Sequence, residues 1–277
     1  MFKKRLCLAL NDQFGKPYEE QIKLIKAAGF DGFAIDLSGR DANACALAKI
    51  GRDEGMLIPY LHAPFNKSDD MWIEGENGDS AAAELINCAE ICAEIGVPVM
   101  VCHAFIGFDA EYTPTELGIE RYGSVVRRAS TLGVSVAFEN TEGEEFLAAL
   151  MNAFKDEKSV GFCWDTGHEL CYNPGTDMAA LYGERLLVTH LNDNLGVRDF
   201  GGKTTFIDDL HLLPFDGIAD WDRICRELSG FDGALSFELN TKSKPGRHEN
   251  DCYGAMPLEI YLAEAFKRAC RVAAKIK

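Results

Sequence analysis

Asp165 and His168 close an apolar run, Val160 to Trp164, with a carboxylate and an imidazole separated by two small residues. A β-forming segment that ends this way offers one oxygen and one nitrogen donor at the mouth of a strand, the makings of a divalent-cation site. An ordinary turn after a buried strand would explain this one segment equally well. The pattern recurs, however: apolar runs end at His62, His103, Glu139, His190 and Glu238, and Asp209 and His211 stand two apart in a later loop. The candidate set is therefore His62, His103, Glu139, Asp165, His168, His190, Asp209, His211 and Glu238, which takes up five of the six histidines. Acids and imidazoles crowded together without a cation would be costly, so metal binding is the economical explanation. The ten cysteines include no Cys-x-x-Cys pair, and Cys88 and Cys92 keep the spacing of a helix core. Reduced thiols and a nitrogen and oxygen ligand set are expected.

The elements that position these residues alternate regularly. Strands are expected at 6–10, 32–37, 56–61, 97–102, 134–138, 160–164, 186–189 and 234–237, and helices between them. The helices are expected from about Pro17 to Ala28, Ala42 to Glu54, Ser80 to Ile95, Thr115 to Leu132, Glu144 to Phe154, Asp177 to Tyr182, Trp221 to Leu228 and Pro257 to Lys275. The run Gly32 to Leu37 is too continuously apolar to keep one face wet, as a parallel strand covered by helices requires. Eight strands and eight helices with no linker or low-complexity segment predict a single α/β domain over residues 1–277, a (β/α)8 TIM barrel. A doubly wound sheet is disfavoured because no Gly-x-Gly-x-x-Gly turn follows the first strand. From helix-stopping glycine to strand-end polar residue is seven positions for Gly29 to Asp36, Gly55 to His62, Gly96 to His103 and Gly183 to His190, and six for Gly133 to Glu139. Equal spacing sets these side chains at one height, the carboxyl-terminal rim where active sites of this fold are built.

Composition narrows the partners. A formal net charge of -16 repels nucleic acid and anionic membranes, and a hydrophobic content of 47% supplies a sizeable core. The apolar run Leu6 to Leu10 is too short for a signal-peptide core or a membrane span, so a cytoplasmic protein is expected. Lys242, Lys244, Arg247 and His248 cluster after the last strand, where phosphate groups often sit in this fold, although a solvated basic loop is the plainer explanation. Trp72, in the polar stretch 65–79, is the lid candidate, whereas Trp221 opens an amphipathic helix and packs it.

The segments Leu-His-Ala-Pro at 61–64, Phe-Glu-Asn at 138–140, Trp-Asp-Thr-Gly-His at 164–168, Thr-His-Leu-Asn-Asp-Asn at 189–194, Asp-Leu-His-Leu-Leu-Pro at 209–214 and Phe-Glu-Leu at 237–239 resemble the xylose isomerase-like barrel superfamily. That group holds sugar and sugar-phosphate isomerases and epimerases together with endonuclease IV. The ketose 3-epimerase branch implies Glu139, Asp165, His190 and Glu238 as ligands of a divalent ion (Mn, Mg, Co or Zn), with Glu139 and Glu238 exchanging the proton. A cation that polarises a carbonyl between two carboxylates suits isomerisation, epimerisation or a related dehydration through one enediolate. The endonuclease IV branch implies a trinuclear zinc phosphoesterase, for which His62, His103, His168, Asp209 and His211 would add ligands. A non-catalytic sugar-binding protein is the third reading. The expected partner is a small sugar or sugar phosphate held by Trp72, Lys242 and Arg247, and barrels of this type commonly pair into homo-oligomers. Pro-Phe-Asp-Gly at 214–217 departs from the Pro-Gly-Glu-Gly turn of many sugar-processing members. The insertion 191–219 is expected to carry Asp209 and His211 back over the rim, pointing the same way from an extended segment.

Overall fold

Eight strands form the frame in a computed structural model that describes residues 4–38, 43–108, 111–198 and 204–276. They are β1 (Leu6–Ala9), β2 (Gly32–Asp36), β3 (Leu61–His62), β4 (Val99–His103), β5 (Ser135–Glu139), β6 (Val160–Asp165), β7 (Leu186–His190) and β8 (Leu235–Phe237). The sheet runs β7-β6-β5-β4-β3-β2-β1-β8. Its paired neighbours are parallel, from Cys7 opposite Gly32 to Asp165 opposite His190. The β7 and β8 ends meet through a parallel bridge between Leu191 and Phe237, and Ser236 donates its N–H to the Thr189 hydroxyl at 3.0 Å. The result is a nearly closed (β/α)8 barrel, as the alternating pattern predicts.

Around it lie α1 (Tyr18–Ala28), α2 (Ala44–Asp53), α3 (Glu76–Ile95), α4 (Glu116–Thr131), α5 (Glu144–Ala153), α6 (Thr166–Cys171), α7 (Met178–Tyr182), α8 (Trp221–Glu227), α9 (Asp251–Gly254) and α10 (Leu258–Lys275). Among the described residues no helix is long and apolar enough to cross a membrane. The short α6 and α9 are absent from the periodic pattern, because one turn or two leave no 3.6-residue repeat to read. The expected start of the second helix at Ala42 lies outside the described residues. The third strand is shorter than expected: within 56–61 only Leu61 enters the ladder, apart from one bridge between Gly32 and Leu57. Pro59 lacks the N–H that a continuous strand would donate there.

Alternation along each strand divides two cores. Leu6, Leu8, Phe33, Ile35, Phe138, Phe162 and Phe237 pack outward against the helices. Ala9, Ala34, Val101, Ala137, Cys163 and Val188 point inward, and the large ring of Tyr60 fills the centre they leave. Small inward residues at this level are what an eight-stranded interior accommodates. The two layers explain why the strands read as unbroken apolar runs, and they seat the polar residues one step further toward the rim.

Trp72 belongs to this framework and not to a lid. It is fully buried, donates Nε1 to the Ala104 carbonyl at 2.8 Å, and packs against Tyr122 and Phe146 at 5.6 and 4.9 Å between centroids. A Cβ at Gly118 would come within 2.2 Å of its ring, so that helix must carry a glycine where the indole crosses it. Polarity misled the expectation: the turn Asp70–Trp72 packs against α3 and α4, and the indole is its apolar anchor. Trp72→Phe is expected to lower stability by about 1–3 kcal/mol, from a lost buried hydrogen bond and a smaller ring. Urea denaturation measures this, and a lid role would instead raise KM at unchanged stability.

Candidate metal centre

Glu139, the last residue of β5, is the hub. Its side chain is fully buried, and imidazoles surround both of its oxygens. Nε2 of His62 and Nε2 of His103 each lie 3.2 Å from Oε2, while Nδ1 of His168 and Nδ1 of His190 each lie 3.1 Å from Oε1. Burial works against the Glu139 charge, but His190 and His103 hold its carboxyl well below the usual range. His190 Nδ1 also reaches Glu238, at 3.0 Å from Oε2. Burial raises the Glu238 pKa and His190 outweighs it, bringing it down to about 2.

Each donor reaches the hub through local backbone logic. His62, His103, Glu139, Asp165 and His190 are the final residues of β3, β4, β5, β6 and β7, and Glu238 follows β8 directly. Asp165 also caps α6, with Oδ1 accepting from the N–H groups of Gly167 and His168 at 2.8 and 2.7 Å. The cap turns the chain so that His168 faces the same cleft. Asn192 Nδ2 donates to both Asp165 oxygens, at 3.1 and 2.9 Å, and Asn140 Nδ2 donates to the Asp165 carbonyl at 2.9 Å. Asn140 and Asn192 carry no donor pattern in the sequence, and their role of orienting Asp165 emerges only from the fold.

The insertion does return to the rim, with residues 199–203 of it outside the described residues. Asp193 and Leu212 form an antiparallel bridge, and the Asp193 carboxylate accepts from the N–H groups of Phe215 and Ala219 and from Trp221 Nε1. Asp209 then lies 2.8 Å from His211 Nε2 and 3.4 Å from His168 Nε2. The expected reason differs from the observed one. His211 adopts φ 48°, so the two side chains converge through a left-handed turn and not by alternation along an extended segment. Burial opposes a charged imidazole at His211, yet Asp209 beside it pushes the pKa up to about 9.

Ligand-type atoms of Glu139, Asp165, His190 and Glu238 all lie within 4.8 Å of one another, as do those of His62, His103 and Glu139 and those of Asp165, His168 and His211. Atoms bound to one ion at about 2.0–2.3 Å are separated by distances of this order. His103 Nδ1 and His190 Nε2 are buried with no hydrogen-bond partner. Unsatisfied imidazole nitrogens among these acid and imidazole groups fit a divalent cation with oxygen and nitrogen ligands.

The site opens into a cleft of about 370 Å³ bordered by Phe65, Phe108, Tyr172, Phe206, Asn240 and Lys244, among others. Phe65 stacks on His103 at 4.3 Å and Tyr172 lies 4.8 Å from His168, so aromatic faces cover the donor set on two sides. Two expected substrate contacts are elsewhere. Arg247 is buried against Asp208 and Glu249, tying the insertion to the loop after β8, and it does not border the cleft. The backbone of exposed Lys242 donates to Gln13 Oε1, and its residue lies on the outer surface of that loop. Lys244, from the same basic cluster, faces the cleft and pairs with Asp209 at 3.2 Å. Sequence spacing could not rank these cations, because a loop has no fixed periodicity.

The class of protein defined here is a parallel barrel whose rim carries acids and histidines that could hold a metal ion, and the comparisons narrow it. The model of the xylose isomerase-like TIM barrel family matches residues 22–256, so the chain belongs to that family. An uncharacterized protein, y4fM, from Sinorhizobium fredii is 30% identical over 168 residues. That match takes in 56% of this chain, and the chain spans about half, 51%, of the curated relative's length. Among solved structures, the IOLI protein with a bound zinc atom superposes with a TM-score of 0.74 at 19% identity, covering 98% of this chain and 99% of that one. D-Psicose 3-epimerase with D-tagatose, from Clostridium cellulolyticum H10, gives 0.70 at 15% identity, covering 97% and 99%. At these identities the structures share the fold.

Proposed function

We propose that this protein is a divalent-metal-dependent isomerase or epimerase of a small sugar or sugar phosphate. It would move a proton on the carbon next to a carbonyl, through an enediolate. The observation that carries the reading is the pair Glu139 and Glu238, both within 3.1 Å of His190 Nδ1 and both bordering one cleft. An ion held by Glu139, Asp165, His190 and Glu238 supplies Lewis-acid polarisation of the carbonyl when bound. Asp165 is held by Asn192 and the start of α6, which fixes one of the three carboxylates in the set. Glu139 and Glu238, on different strands, take the proton and return it. The Glu139 side chain is 1% exposed and that of Glu238 25%, so a proton held by Glu238 meets solvent more readily. Aromatic residues Phe65, Phe108 and Tyr172 border the same cleft and exclude water from the carbon skeleton.

One observation favours a second reading, a multinuclear zinc phosphoesterase. The three donor groups are linked, with Glu139 common to two and Asp165 common to two. A net charge of -16 still opposes a nucleic-acid duplex, so such a substrate would be a small phosphoester. Incubating the metal-loaded protein in deuterated buffer with a panel of ketoses, cyclic polyols, their phosphates and simple phosphoesters separates the readings. Deuterium incorporation with one metal equivalent supports the isomerase. Phosphate release with two or three zinc ions per chain overturns it.

A further inference from the structure

We propose that Cys163 is a further ligand of this centre, closing it from the barrel interior and making it a thiolate site that prefers zinc over manganese or magnesium. The inference rests on the metal-centre reading above and adds to it a donor of different chemistry. The Cys163 sulfur, a nitrogen of His190 and an oxygen of Glu139 lie within 4.8 Å of one another. All three residues are completely buried. The neighbouring cysteines of the barrel wall differ: Cys102, for example, belongs to the layer that packs against the helices, whereas Cys163 belongs to the interior layer with Tyr60 and Val188.

Two features of the backbone bring the thiol and the centre together. Cys163 is paired in register with Glu139, and two residues later Asp165 points the same way one step nearer the rim. The β6 to β7 pairing slips between Phe162 and Cys163, so that Leu186 faces Phe162 but Val188 faces Cys163. The extra residue, Leu187, lies on β7, so the slip re-aims the side chains that follow it there, setting Val188 opposite Cys163 and His190 opposite Asp165. The imidazole above is prepared for a partner. His190 Nδ1 serves Glu139 and Glu238, while Nε2 is buried without a hydrogen bond and the Tyr60 ring lies 5.0 Å from the imidazole. On metal binding the S–H bond breaks, a sulfur–metal bond forms, and the proton leaves to solvent through the cleft. Soft sulfur then biases the site toward zinc, which manganese and magnesium, preferring oxygen, do not share.

X-ray absorption on the zinc-loaded full chain tests this without any substitution. The expected spectrum contains one sulfur at about 2.3 Å beside nitrogen and oxygen at about 2.0–2.2 Å. Cys163→Ser and Cys163→Ala should both lose the sulfur shell and retain zinc, with zinc affinity reduced about tenfold to a hundredfold and manganese affinity unchanged. Cobalt-loaded native protein should show a near-ultraviolet thiolate charge-transfer band, which serves if the variants fold poorly. A native zinc spectrum with nitrogen and oxygen alone overturns the inference and leaves the four-residue centre standing. A sulfur shell that survives in either variant assigns it to another cysteine and also overturns it. Failure to bind zinc at all overturns both the inference and the metal-centre reading.

Discussion

Glu139→Gln and Glu238→Gln should each lower turnover and solvent deuterium exchange at the substrate carbon by roughly 10²–10⁴-fold, the contribution of a positioned acid or base. Glutamine keeps the side-chain length and one carbonyl oxygen, so shape and part of the metal contact survive while the proton carrier is lost. Glu139→Gln should have the larger effect on metal retention, because four imidazole nitrogens lie within 3.2 Å of its two oxygens. Glu238 has one such contact, His190 at 3.0 Å, and sits at the wetter mouth. Metal content of the purified variants, measured beside exchange followed by NMR, separates the two roles. Full exchange in both variants would remove the acid/base assignment, whatever the metal content.

The fold was legible because its punctuation is physical. Gly29, Gly96 and Gly133 stop α1 and α3 and follow α4 with φ of 113°, 70° and 73°, and the chain after each rises one strand length to the rim. The six rim residues at strand ends could be listed for the same reason, since a strand of fixed rise ends at a fixed height. What the pattern could not supply is direction within a loop. Trp72, Lys242 and Arg247 are a buried anchor, a surface cation and a structural ion pair, and nothing in their spacing distinguishes these fates from substrate contact. Cys163 was hidden differently. A cysteine inside an apolar strand reads as core, and only the folded register, with Cys163 opposite Glu139 in the inner layer of the barrel, brings it beside His190.

His211→Ala should weaken metal retention or turnover by about one to two orders of magnitude, the scale set by loss of support at a metal site. His211 is 6% exposed and lies 2.8 Å from Asp209 through Nε2, while its Nδ1 is 3.1 Å from the Glu238 carbonyl. One ring thus joins the insertion to the strand end that carries a proposed catalytic carboxylate. Its backbone, at φ 48°, is held by the Asn240 N–H on its carbonyl at 3.0 Å and by the adjacent bridge of Leu212 to Asp193. A non-glycine residue kept in the left-handed region by surrounding bonds is a costly arrangement that persists where geometry matters. The backbone cost separates two causes. His211→Gly removes the ring and relieves the strain, so it should be more stable than the alanine variant yet show the same loss of metal or activity. Asp209, left without its imidazole, keeps Lys244 at 3.2 Å and stays in place, so the loss reports the ring and not collapse of the insertion. Unchanged metal content and turnover in both variants would reduce the site to Glu139, Asp165, His190 and Glu238.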